Sequence, residues 1–262
     1  MTGGAGYVGS EVCAQAIARG WDVVATQHRT PAPHGRGVTL DVRDDAAVHR
    51  AFVRYGPDAV IHTAYVLSGP AMSDTILHGT HAVAEASARA GARLVHLSTD
   101  LVFDGEHGAP YAEDAEPRPV SAYGAAKAEA ERLVGDALIV RTSVQYGKPE
   151  PGQQELLAFR DDVEFFTDEI RCPCLVAETV AALLDLVGLD VVGPLHVAPP
   201  EAVARDELAR LLRAAHGRDP STVRGAPTPP GRARNVALDS AKAAGILGRS
   251  LTGVHAAIGR SA

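Results

Sequence analysis

Three glycines spaced by three, Gly3, Gly6 and Gly9, stand in Thr2-Gly3-Gly4-Ala5-Gly6-Tyr7-Val8-Gly9, with an apolar helical stretch directly behind them. Residues without a Cβ let the backbone turn tightly and leave unpaired N–H groups at a helix start. Glu11 to Arg19 carries helical spacing and stops at Gly20, a natural C-terminal cap. The run Trp21 to Thr26 (WDVVAT) then reads as a strand. A tight turn, a helix and a strand in this order point to βαβ units on a parallel sheet.

The same alternation continues. Ala59 to His62, Leu94 to Ser98 and Ala137 to Val140 read as strands, and His78 to Ala90 and Ala125 to Val134 as helices. The expected fold is α/β, a Rossmann-type doubly wound parallel sheet with a smaller C-terminal domain. The texture changes after Gly147, where KPEPGQQ is a loop. Later, PPEAVARDELARLLRAAHG holds an amphipathic helix ended by Gly217. Residues 1–147 are read as a dinucleotide-binding domain and 148–262 as a substrate-binding region, some of whose segments return to the sheet.

One element is missing from this pattern. A glycine loop of this kind follows a strand, yet only Met1 precedes Thr2. The expected consequence is a strand-wide slot between the neighbouring strands. Residues upstream of a start assigned too late would fill it, or another segment would.

With 262 residues, 46% of them hydrophobic, the chain can bury a core without disulfides. A formal charge of −7 gives no basic surface for nucleic acid. The three cysteines, Cys13, Cys172 and Cys174, are an odd number suited to a reducing compartment. Cys172-Pro173-Cys174 has no second ligand cluster, so no metal is expected. No basic leader precedes an apolar run, and no stretch approaches a membrane span. A cytoplasmic protein without a membrane partner is expected.

A glycine loop at a helix start suits a pyrophosphate, held by the backbone of Gly3, Gly6, Tyr7, Val8 and Gly9. The strand WDVVAT leads into Gln27-His28-Arg29, without the acid that would accept a ribose 2′-hydroxyl. Arg29 and His28 therefore favour the 2′-phosphate of NADP over NAD. Asp41 and Val42 follow the short run Val38 to Leu40 and would flank the adenine, Asp41 serving equally well as a helix cap.

Ser98-Thr99-Asp100 ends one strand, and Tyr123-Gly124-Ala125-Ala126-Lys127 opens a helix. Tyr and Lys at i and i+4 project from one helical face. An ammonium near a phenol lowers its pKa from about 10, so the tyrosine can hand a proton to a carbonyl oxygen. The Thr99 hydroxyl can hold the same oxygen.

TGGAGYVG, STDLVFDG, YGAAK and RTSVQYG, in this order, resemble the extended short-chain dehydrogenase/reductases, and within them the dTDP-4-dehydrorhamnose reductase-like group. The stretch Arg234-Asn235-Val236-Ala237-Leu238-Asp239-Ser240-Ala241-Lys242 resembles that group's C-terminal signature. The resemblance implies catalytic roles for Thr99, Tyr123 and Lys127 and an NADPH-dependent reduction of a ketone on a nucleotide-linked sugar. It also implies that Ala64 faces the cofactor ribose and that Thr142 to Val144 pass near the nicotinamide. Arg171, Arg232 and Arg234 are candidates for a substrate diphosphate. A helix-face homodimer is common in the superfamily.

Four departures stand out: Leu101 replaces a tyrosine, Val144-Gln145 replaces a tryptophan-containing pattern, and His78 sits where an asparagine is frequent. The segment between Gly147 and Phe165 is also short. Two rival readings remain. One is a sugar-nucleotide epimerase or dehydratase, against which Leu101 breaks the acidic pair expected after the threonine. The other is a non-catalytic NADP-binding regulatory subunit resembling the methionine adenosyltransferase β-subunit.

Overall fold

Gly6 leaves the glycine loop in extended conformation (φ −76°, ψ 169°), and helix α1, Tyr7–Ala18, starts directly behind it. Gly20, at φ +83°, reverses the chain. Trp21 still donates its N–H to the Ala16 carbonyl, so the following strand β1 begins only at Val24 and runs to Gln27. The expected strand from Trp21 is shorter because its first residues finish the helix end. The computed structural model describes residues 1–106 and 110–259.

Two compact units interleave along the chain. The first comprises Met1–Thr99, Ala122–Val140 and Val180–Pro194, and the second Asp100–Ser121, Arg141–Thr179 and Leu195 onward. Asp100–Ser121 goes with the later residues, and Val180–Pro194 with the earlier ones.

In the first unit, β2 (Arg36–Thr39) pairs in parallel with β1. Helix α2 (Asp45–Tyr55) follows, capped by the Asp44 carboxylate on the Ala47 N–H and ended by Gly56 at φ +50°. The sequence pattern does not mark helix α2, and its cap is Asp44, three residues after Asp41. Strand β3 (Ala59–His62), helix α3 (Met72–Ala90) and strand β4 (Arg93–Thr99) come next, with β3 and β4 parallel. Helix α4 (Ala122–Arg132) leads to β5 (Leu138–Thr142), and the order outward from β3 is β4, β5 and the strand Gly193–His196. Val48, Phe52, Val60, Val83, Leu94 and Ile139 fill one core between sheet and helices.

Met1 and Thr2 bridge β1 and β3. Thr26 N–H donates to the Met1 carbonyl at 2.9 Å, and Thr2 N–H donates to the Ile61 carbonyl at 3.1 Å. Thr2 pairs with His62 in parallel sense. This rung is a short piece of the central strand, and it joins β2–β1 to β3–β4–β5. Beyond it lies a cavity of about 510 Å³, lined by Met1, Val12, Val24, Leu40, Phe52 and Val60 among others.

The second unit is built from short pairs: Val203–Ala204 antiparallel to Ile170–Arg171, Arg224–Ala226 parallel to Glu164–Phe166, and Gln145–Tyr146 parallel to Cys174–Leu175. The expected amphipathic helix is Arg205–Ala215, which packs Leu208 and Leu212 on Val144, Tyr146 and Phe165.

Candidate active site

The first unit gathers the glycine loop and the Thr–Tyr–Lys set. Gly3 stands at φ +73°, and a Cβ there would meet the Ala64 backbone nitrogen at 2.9 Å. A Cβ on Gly9 would lie 2.1 Å from the Gly3 carbonyl oxygen. The loop and the first turn of α1 thus touch backbone to backbone, as a phosphate cradle requires. Gly6 supplies no side chain to cap α1. Gly4 N–H donates to the Thr26 carbonyl at 2.8 Å, which ties the loop to β1. The loop sits where the strand order reverses, the crevice position for ligands in open parallel sheets. Ala64, half-buried, stands against the same glycine.

Past β1, His28 and Arg29 are exposed. His28 Nε2 lies 3.7 Å from Asp41 Oδ2. Arg43 donates to both carboxylate oxygens of Asp41, at 3.0 and 2.6 Å, and this hydrogen bonding holds the Asp41 carboxyl down at about 2. Val42 is buried, and its side chain fills the notch left by Gly79 of α3.

Thr99 is the last residue of β4 and is buried. Tyr123 lies half-buried in the first turn of α4, its ring 5.8 Å from that of Tyr65. Lys127, one turn on, is buried and donates to the Leu97 carbonyl at 2.6 Å. Its Nζ also lies 3.2 Å from His96 Nε2. Burial draws its pKa down from 10.5 to about 8, with Glu131 acting in the opposite sense. Ser98 donates to Glu131 at 2.5 Å, which fastens α4 to the end of β4.

Two residues here, His62 and His96, were not among the candidates drawn from the sequence. They pair across β3 and β4, with ring centroids 5.4 Å apart. The available signal was one histidine in each of two otherwise apolar strands, VIHTA and LVHLS.

The remaining candidates belong to the second unit. Thr142 donates to the Val197 carbonyl at 2.9 Å, and Val144 is buried, its carbonyl accepting from Cys174 N–H at 2.7 Å. Arg171 is buried, and its Nε and Nη2 both go to Asp100, the former at 2.6 Å. Arg171 is thus held in an internal ion pair. Arg232 donates to Glu169 at 2.8 Å, and Arg234 lies 3.6 Å from Asp168. Their side chains are 51% and 57% exposed, and the Arg232 guanidinium lies over the Phe166 ring, 4.9 Å from its centroid. Arg205 joins the cluster 3.8 Å from Glu169, with a buried Nη1 that has no hydrogen-bond partner. Burial and the neighbouring Arg171 lower its pKa to about 10. Nothing in its local sequence marked it.

Cys172 and Cys174 are buried thiols, pushed up to about 12 and about 11 by burial. Among the described residues no group of three or more His, Cys, Asp or Glu is placed to hold a metal ion. Among them, too, no helix is long and apolar enough to cross a membrane.

The parallel order, the glycine crossing and the switch-point crevice define a Rossmann-type α/β protein. The chain belongs to the RmlD substrate binding domain family, which matches residues 1–261. It is 32% identical over 244 residues to a dTDP-4-dehydrorhamnose reductase of Mycobacterium tuberculosis, covering 86% of this chain and 77% of that one. The fold is similar to a hypothetical dTDP-4-dehydrorhamnose reductase from Sulfolobus tokodaii, with TM-score 0.84, 23% identity and 97% of each chain covered. It is also similar to a dTDP-4-dehydrorhamnose reductase from Bacillus anthracis solved with NADP, with TM-score 0.81, 22% identity and 99% and 96% of the two chains covered.

Proposed function

We propose that this chain is an NADPH-dependent reductase of a ketone, the 4-keto group of a nucleotide-linked sugar. The observation that carries the reading is Lys127, a lysine buried one turn behind Tyr123 on the helix that packs against the Thr99 strand. A buried ammonium costs stability, and its place behind a phenol has a chemical use. The family relatives' names agree with this use.

In this reading the first unit holds the cofactor. The glycines whose Cβ positions are filled by neighbouring backbone, and the uncapped start of α1, fit a pyrophosphate. Arg29 and His28 would take the 2′-phosphate; NAD would lack that contact. When bound, the nicotinamide supplies the hydride. Thr99 donates a hydrogen bond to the carbonyl oxygen, and Tyr123 gives that oxygen its proton. Lys127, positively charged, favours the phenolate that remains. In the second unit, Arg232 and Arg234 are the candidates for the diphosphate. We place the enzyme in the cytoplasm.

The test is NADPH oxidation with a dTDP-linked 4-keto-6-deoxy sugar. Turnover is expected, with Tyr123→Phe slower by about a hundredfold or more. NADPH binding without turnover on any ketosugar would support a non-catalytic regulatory subunit instead.

A further inference from the structure

Lys127 and His96 make a buried contact that the reduction chemistry leaves unexplained. Lys127 Nζ has two partners within hydrogen-bond distance, the Leu97 carbonyl at 2.6 Å and His96 Nε2 at 3.2 Å. An ammonium has only donors, so His96 meets it with an unprotonated Nε2. The neutral ring must then carry its proton on Nδ1, a buried atom without a hydrogen-bond partner. A buried N–H left unpaired is costly, so the ring is held for what its other nitrogen does.

The surroundings keep it neutral. His96 faces His62 across β3 and β4, and His62 is fastened by Thr2 Oγ1 at its Nδ1 (2.6 Å) and Thr80 Oγ1 at its Nε2 (3.1 Å). Burial and the Lys127 charge both push the His96 pKa well below 6.5, and burial brings His62 to about 3. Among the described residues, the charged and titratable groups around Lys127 are His96 of β4, Tyr123 and Glu131 one turn away on α4, and, behind His96, His62 of β3 with the buried Met1 ammonium that also disfavours the His62 charge. Thr2 also leads into the glycine loop, and the His62 ring it fastens lies against the His96 ring, centroids 5.4 Å apart.

We propose that His96 is a positioning residue for the reduction: its neutral imidazole accepts from the Lys127 ammonium and sets both where that charge sits and how readily it is kept. This rests on the reading of Lys127 as the catalytic lysine. Without the acceptor, the ammonium keeps the Leu97 carbonyl but loses its second partner. Its charged form becomes less favourable, and it deprotonates at lower pH.

The experiment compares His96→Leu, which keeps bulk without an acceptor, with His96→Gln, which restores one. The alkaline limb of the kcat/KM profile should move down by about one pH unit in His96→Leu, a tenfold change in the lysine's proton affinity. It should return toward wild type in His96→Gln, with NADPH affinity changed less than twofold in both. The chain has only Lys127, Lys148 and Lys242, so NMR of 13Cε-labelled lysine can follow the titration directly, with Lys127→Met identifying the resonance. Nitrogen-15 NMR of wild-type His96 needs no variant and should show a neutral Nδ1–H tautomer from pH 5 to 9. An Nε2–H tautomer, or superimposable Lys127 titrations in wild type and His96→Leu, would overturn the proposal. Wild-type turnover by Tyr123→Phe and Lys127→Met would instead refute the underlying site. Inactive controls with an unshifted His96→Leu profile would remove only the role of His96.

Discussion

The Gly9 Cα and the Gly3 carbonyl approach so closely that a Cβ on Gly9 would lie 2.1 Å from the Gly3 oxygen. This contact sets how near α1 comes to the loop, and backbone cannot swing aside as a long side chain can. Gly9→Ala should therefore push helix and loop apart, at a cost of about 1–3 kcal/mol typical of overpacking. Thermal unfolding should shift down by several degrees, and calorimetric NADPH binding should weaken at least tenfold. Unchanged binding would place the pyrophosphate elsewhere.

Arg29 is exposed, while neighbouring His28 leans to Asp41 and the Asp41 carboxylate is engaged by Arg43. Arg29 thus carries an open positive charge just past β1. Arg29→Asp should weaken NADPH by tenfold or more while leaving NADH equal or improved. The ratio of the two dissociation constants is the measurement. An unchanged ratio would move the selectivity to His28 or Arg43.

Lys127 makes stability depend on pH. Its pKa falls from 10.5 to about 8 on folding because burial disfavours the charge. Above the unfolded value both states are neutral and folding carries no penalty. As pH falls toward 8 the unfolded chain takes up the proton first, so stability drops by about 1.4 kcal/mol for each pH unit crossed between the two values. Below about 8 the loss is complete. Urea unfolding of wild type and Lys127→Met at pH 7.5 and 10.5 should show wild type gaining relative to the variant at the higher pH. A constant difference would mean the folded lysine titrates normally.

The cavity beyond Met1 is lined by Val24 and Thr26 of β1 and by Ala59, Val60 and Ile61 of β3. Arg36 and Leu40 donate to the Val23 and Gln27 carbonyls, so alternation turns the groups of Val24 and Thr26 toward Met1, whose ammonium donates to the Val24 carbonyl at 2.9 Å and whose carbonyl accepts from Thr26. Thr2 donating to Ile61 shows the same for the facing side of β3. An extension of five to eight apolar residues ahead of Met1, one strand's length, should pair with both edges. It should raise the melting temperature and tighten NADPH binding through the glycine loop. Equal melting with and without the extension would show that the cavity does not accept a strand.

The sequence by itself determined the elements that local chemistry dictates. Gly3, Gly6 and Gly9 specified the loop, in which Gly3 and Gly9 have no room for a side chain, Gly20 and Gly91 ended helices, and the four apolar strands announced the parallel sheet. The i, i+4 spacing of Tyr123 and Lys127 placed both on one face without further information. Helix α2 is not drawn from the sequence although Asp44 and Gly56 bracket it and its Val48 and Phe52 carry helical i, i+4 spacing.

Only the tertiary structure decided the partners, which lie far apart in sequence. His62 and His96 are 34 residues apart and meet because β3 and β4 pair in parallel register. Arg171 resembled an open phosphate ligand until the fold set Asp100 against it, and Arg205 acquired its importance from Glu169 in the same way. A guanidinium is equally suited to a carboxylate and to a phosphate. Which of the two it meets is settled by the packing around it and not by its own residue type.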